Sequence, residues 1–125
     1  MMPEELLSHL SEQRVTEILS DLIRRPTDTE TGDYLIDFLT HCGISAEKQD
    51  CGEGRFNVRI PGSEGPGDLY IGHTDVVPAG DLSGWRFPPF SPTVEGGLLY
   101  GRGASDMKGS VAAMLHAAEL LTKLP

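Results

Sequence analysis

The sequence predicts an α/β fold, and three observations predict it. Apolar residues recur at helical spacing in two early stretches and again near the end, short alternating or continuous apolar runs between them read as strands, and turns marked by glycine or proline separate the two kinds. The 125 residues have the size of one domain and can bury a single core.

The first dozen residues carry Glu4, Glu5 and Glu12. Pro3 suits the first turn of a helix, but Leu6, Leu7 and Leu10 do not continue in phase, so residues 1–14 are expected to form a loosely attached extension. A helix is predicted over Val15–Arg25, with Val15, Ile18, Leu19, Leu22 and Ile23 on one face and Arg24 and Arg25 at the carboxyl end of its dipole. Pro26 stops it, and Thr27–Thr31 reads as a polar loop. Tyr34, Leu35, Phe38, Leu39 and Cys42 form the clearest helical stripe, with Gly43 placed for the left-handed residue after the last turn.

Strands are expected over Ile44–Gln49 and over Phe56–Ile60, where Phe56, Val58 and Ile60 alternate with polar residues before Pro61-Gly62 turns the chain. Ser63–Gly67 is a loop, and Leu69–Ile71 reads as a brief buried strand. Pro78–Pro92 holds four prolines and the single tryptophan, Trp85, which predicts an ordered surface loop walling the neighbouring site. Thr93-Val94 and Leu98–Tyr100 flank Glu95-Gly96-Gly97 as a hairpin. Ser110–Leu124 is the last helix, with Val111, Met114, Leu115, Ala118 and Leu121 on one face.

Composition narrows the functions. Hydrophobic residues make up 38% and charged residues 23%, as in an ordinary globular chain. A formal charge of −9, from 19 acidic and 10 basic side chains with no basic stripe, disfavours nucleic-acid binding. The start lacks the basic and apolar segments of a secretory signal, and no run approaches the ~20 apolar residues of a membrane span, so a cytoplasmic protein without membrane contact is expected. Cys42 and Cys51 have the spacing of neither a zinc knuckle nor a redox pair, and reduced thiols are preferred to a disulfide.

Two stretches carry chemistry. In Ile71–Gly80, His73 and Asp75 are two residues apart beyond an apolar run, and in an extended segment they face the same side while Thr74 faces away. One can bind an ion while the other orients or assists it, although His-x-Asp alone is equally compatible with capping or core satisfaction. In Gly101–Gly109, three glycines surround one carboxylate, Asp106, allowing close backbone approach. That carboxylate could simply cap the following helix. Phosphate binding is disfavoured, because the spacing fits neither the Walker pattern nor G-x-G-x-x-G. His9, His41 and His116 read as surface or core-edge residues, Lys108 as packed or solvated, and Arg102 as structural in preference to an anion contact.

Gly72-His73-Thr74-Asp75-Val76-Val77-Pro78, Trp85-x-x-Pro88-Pro89-Phe90 and Gly101-Arg102-Gly103-Ala104-x-Asp106-Met107-Lys108-Gly109 together resemble the dinuclear zinc amidohydrolases and peptidases. That family includes succinyl-diaminopimelate desuccinylase, acetylornithine deacetylase, aminoacylase and glutamate carboxypeptidase. The resemblance covers about residues 15–124, and Gly80-Asp81 with the Trp85–Phe90 segment leans toward the desuccinylases.

The resemblance implies a partial three-layer catalytic domain, a mixed sheet with flanking helices, over residues 15–125. It implies His73 as a ligand of one metal, Asp106 as a bridge between two, and Asp75 as the catalytic-site residue that holds His73. It also implies a cis peptide bond after Asp106. Two Zn²⁺ ions, with Co²⁺ as an alternative, are the implied cofactors, and a small N-acyl amino acid is the implied substrate. The family's downstream Glu-Glu pair, further acidic ligand and late histidine have no counterpart here, nor does the helical lid through which its members form homodimers. The expectation is therefore the amino-terminal portion of such an enzyme, inactive by itself. A noncatalytic metal-binding or interaction module using the same half-fold is the reading from another class.

Overall fold

A computed structural model describes residues 2–62 and 64–125. Met1 of the expected extension and Ser63 of the expected loop lie outside the described residues. A short helix α1 (Pro3–Leu6) and a 3₁₀ turn (Leu7–His9) lead into α2 (Glu12–Ile23). This helix starts three residues before the sequence pattern places it, because the Ser11 side chain accepts the Arg14 N–H at 3.1 Å and caps it. Leu6, from the stretch expected to be loosely attached, is buried.

The polar stretch after Pro26 is a helix start, not a loop. Thr27 Oγ1 accepts the Glu30 N–H and Glu30 Oε2 accepts the Thr27 N–H, each at 3.2 Å, a capping box that opens α3 (Asp28–His41). At its other end Gly43 has φ +75°, its N–H bonds to Thr40 O and that of Ile44 to Leu39 O, the closing motif anticipated for that glycine.

The strands form two antiparallel hairpins, β1 (Glu47–Gly52) with β2 (Arg55–Arg59), and β3 (Thr93–Glu95) with β4 (Leu98–Tyr100). The first expected strand is displaced: Ile44–Ala46 is irregular and pairing begins at Glu47 opposite Arg59. The second hairpin forms where its two glycines predict it. The turn after it leads into α4 (Gly109–Leu121).

Ile18 and Leu22 of α2, Phe38 and Leu39 of α3, and Val111, Ala112 and Leu115 of α4 make the core. The helical periodicity of the three segments therefore reports a buried face, except that in α4 Leu121, expected on that face, is exposed and Leu120 is buried instead. The first hairpin docks through Phe56, whose ring lies where a Cβ on Gly32 of α3 would stand, 2.6 Å from it.

The buried strand expected over Leu69–Ile71 does not form. Leu69, Tyr70 and Ile71 are 82%, 77% and 77% exposed, and no strand among the described residues pairs with them. An apolar run becomes a strand only where a ladder partner takes up its N–H and C=O groups. Here the segment is extended but unpaired.

Candidate metal centre

The extended segment keeps the alternation expected of it: Thr74 and Val76 are half-buried, while His73 and Asp75 between them face outward. Its height over α4 is set by Gly72. A Cβ there would lie 2.8 Å from Met114 Cε, 3.2 Å from Val111 Cγ2 and 3.3 Å from Met107 Cε, so a larger residue would have to push these side-chain ends aside.

Gly103 does the same for the second stretch. Its φ of +83° suits glycine, and a Cβ on it would lie 2.5 Å from Val76 Cγ1, so the two motifs touch backbone to side chain. The chain then makes a single wide turn over Ala104–Lys108, in which the Lys108 N–H reaches Gly103 O at 2.8 Å and Asp106 adopts an extended conformation. The Asp106–Met107 bond is cis, as the resemblance implies.

These two arrangements bring His73 and Asp106 together across 33 positions of sequence, with Nε2 at 3.0 Å from Oδ1. The other ring nitrogen, Nδ1, lies 3.1 Å from the Asp75 backbone carbonyl and 3.3 Å from its carboxylate Oδ1. Desolvation pulls the His73 pKa down, but the Asp75 carbonyl, the Asp106 carboxylate and the charge of both aspartates outweigh it, so the net shift is upward. The site therefore favours positive charge between its carboxylates.

The capping alternative for Asp106 fails. Lys108 precedes α4, and among the described residues the Asp106 carboxylate accepts no backbone N–H of that helix. The donor set fits a zinc-type ion in kind and spacing. With an N or O ligand at roughly 2.0–2.1 Å in tetrahedral geometry, two ligands of one ion stand about 3.3 Å apart, close to the 3.0 Å observed. The fit is partial in number, since the described residues contain no group of three or more His, Cys, Asp or Glu placed to share an ion.

Of the remaining histidines, His9 is exposed in the 3₁₀ turn, and His116 and His41 make bonds away from this site. His116 is buried, its Nε2 accepts the Ser11 N–H at 3.1 Å, and its Nδ1 meets Glu119 Oε2 at 3.0 Å. His41 bonds the Asp37 carbonyl on the exposed side of α3. Arg102 proves structural: its guanidinium lies 4.8 Å over Trp85 and Nη2 donates to Pro78 O, while its N–H donates to Pro89 O.

The Arg102 contacts tie the Pro78–Pro92 loop to the turn after β4, and within the loop Trp85 Nε1–H donates to Ala79 O. Consequently the loop does not wall the cleft at His73 as expected. That cleft, of about 540 Å³, runs from His73 and Asp75 past Leu69 to Phe56, Arg59 and Gln49.

Lys108, which the sequence leaves as packed or solvated, is packed. Its side chain is fully buried, and Nζ donates to Leu22 O and Arg25 O, both at 2.8 Å, at the carboxyl end of α2. Burial pushes its pKa down, opposed by the charges of Asp28 and Glu30. A lone lysine carries no periodicity, so the only signal was its place between a glycine turn and an apolar helix.

Comparison with known proteins bears on this geometry directly. Residues 69–125, which hold both motifs, match Peptidase family M20/M25/M40. Succinyl-diaminopimelate desuccinylase of Alkalilimnicola ehrlichii is 48% identical over 107 residues, 82% of this chain. The chain belongs to the M20/M25/M40 peptidase family. The crystal structure of human carnosine dipeptidase 1 superposes with a TM-score of 0.74 at 25% identity, covering 95% of this chain. The α/β class and the peptidase-like fold expected of the sequence are thus both present. The M20/M25/M40 chain described here spans 28% of the desuccinylase and 31% of the dipeptidase.

Proposed function

We propose that this M20/M25/M40 chain belongs to a metal-dependent hydrolase that cleaves the amide bond of an N-acyl amino acid, with N-succinyl-diaminopimelate as the favoured substrate. The observation that carries the metal reading is the convergence of His73 Nε2 and Asp106 Oδ1, from motifs 33 residues apart, with Asp75 occupying the other ring nitrogen. The 48% identity to a desuccinylase supports the succinyl substrate.

In this reading the Asp75 carbonyl keeps the proton on Nδ1, so the neutral ring offers Nε2 as a ligand. Asp106 offers two oxygens, and a carboxylate can span two ions about 3.5–4 Å apart. Zinc, with cobalt as the alternative, would be held by His73 and Asp106, and when bound would polarise the amide carbonyl and lower the pKa of water. His73 and Asp106 are the two ligands that the described residues would supply. A homodimeric, cytoplasmic enzyme acting in amino-acid biosynthesis completes the proposal. Among the described residues no helix is long and apolar enough to cross a membrane.

A second reading, a metallodipeptidase, is favoured by the likeness to carnosine dipeptidase 1. An acetylornithine-type deacetylase would differ in both the acyl group and the amino acid of its substrate. The test is to measure bound metal in the purified full-length protein and its turnover of N-succinyl-diaminopimelate, N-acetylornithine and a dipeptide before and after chelation. The expected result is chelation-sensitive turnover fastest with the succinyl compound. Fastest turnover of the dipeptide would transfer the proposal to the second reading, and bound metal without turnover of any of the three would favour a noncatalytic module.

A further inference from the structure

Asp106 makes one side-chain contact that the geometry of the site depends on, the 3.0 Å approach of His73, and its carboxylate is 88% exposed. No packed neighbour fixes that side chain, so its place is set by the backbone of the Ala104–Lys108 turn. Lys108 closes this turn, its N–H bonding to Gly103 O at 2.8 Å. The Lys108 stem lies against Gly103, 3.3 Å from where a Cβ would stand, on the same residue that Val76 of the His73 segment touches. Its ammonium is bonded at 2.8 Å to Leu22 O and Arg25 O, carbonyls at the negative end of the α2 dipole. The same end of α2 packs on the start of the turn, where a Cβ on Gly101 would lie 2.8 Å from Ile23 Cγ2. One side chain thus ties the turn bearing Asp106 to the end of a core helix.

We propose that Lys108 is a positioning residue for the metal centre, holding the Asp106 turn against the carboxyl end of α2 so that the Asp106 carboxylate stays at His73. It touches neither metal nor substrate. This inference rests on the metal reading above.

Lys108→Met removes the ammonium and keeps the length of the stem. The comparison variant is Leu39→Ala, which opens the core in α3 and lowers the melting temperature without touching the turn. In full-length apoprotein titrated with Co²⁺ and followed by visible absorption, Lys108→Met is expected to weaken binding about 10- to 100-fold, the usual effect of losing a group that orients a ligand. Its band shape should change, and kcat should fall more than KM rises. Leu39→Ala should keep the wild-type spectrum and affinity at a similarly lowered melting temperature.

Equal effects of the two variants, or a wild-type titration curve for Lys108→Met, would overturn the inference. If Lys108→Met does not fold, Lys108→Gln, which retains N–H donors, serves in its place. Failure of both to fold would equally overturn the inference, because the ammonium would then serve the whole fold and not the turn. A wild-type protein with no Co²⁺ band at all removes the metal reading itself. A wild-type band lost in Asp106→Ala but unchanged in Lys108→Met removes this inference alone.

Discussion

Asp75 reaches His73 Nδ1 with two atoms of different kinds, a backbone carbonyl at 3.1 Å and a carboxylate oxygen at 3.3 Å. Substitution by alanine removes only the carboxylate, so Asp75→Ala should cost activity near the lower end of the ~10- to 100-fold range for orienting groups. Metal content at saturating zinc should stay close to that of the wild type. Asp106→Ala should lose metal and activity together, and His73→Ala should chiefly empty one site. Zinc analysis and turnover of the three full-length variants check this, and loss of metal by Asp75→Ala equal to that of Asp106→Ala would make Asp75 a ligand. At this scale the pairing of His73 with Asp75 is legible in the sequence, because i and i+2 share a face wherever the backbone is extended. The meeting of His73 with Asp106 is legible only through the resemblance, since no local rule relates positions 33 apart. The sequence does not decide between a packed and a solvated Lys108, because the carbonyls that receive it belong to residues more than 80 positions earlier.

Helices α2 and α4 are joined at their polar edge by Arg14, Glu119 and His116. The Arg14 side-chain bond, at 2.9 Å from Nη2, is the main cause holding the Glu119 carboxyl below its ordinary pKa of 4.5; burial opposes it, and His116 adds to it. A carboxyl whose folded pKa is depressed gives stability that is present above the unfolded value and lost as pH falls through the folded one. Thermal melts should therefore show an acid-side loss beginning near pH 4.5 and continuing below it. Glu119→Gln should flatten that part of the profile and cost about 1 kcal/mol at neutral pH. In α3, Gly32→Ala should reverse sign with its background. A methyl group there meets the Phe56 ring, so the substitution should destabilise the wild type by about 1 kcal/mol or more, yet stabilise a Phe56→Ala chain by about 1 kcal/mol through helix propensity. Denaturant titrations of the four chains check this. The three main helices are legible because each carries its own apolar stripe. Thr27–Thr31 misleads because polar composition looks the same in a loop and in a capping box. Leu69–Ile71 misleads because pairing, unlike periodicity, is a property of a distant partner.

Across the whole molecule, apolar side chains outside the helical core remain uncovered: Leu69, Tyr70, Ile71, Val77, Leu82 and Leu98 are all exposed. Exposed apolar surface favours association, so the isolated 125-residue chain should bind a hydrophobic dye and elute as more than a monomer at high concentration. A dye-negative monomer with a cooperative melt would contradict this. The same isolated chain should show no turnover, because its described residues bring only His73 and Asp106 together as donors. Metal-dependent hydrolysis by it would refute that expectation. The close seating of Gly72 on Met107 and Met114 gives the molecule a vulnerability to peroxide. Oxidation turns a flexible thioether into a bulkier, polar sulfoxide, and the surface on which the His73 segment rests would swell beneath it. Activity of the full-length protein should then fade on mild oxidation while every ligand stays chemically intact, and return on treatment with methionine sulfoxide reductase.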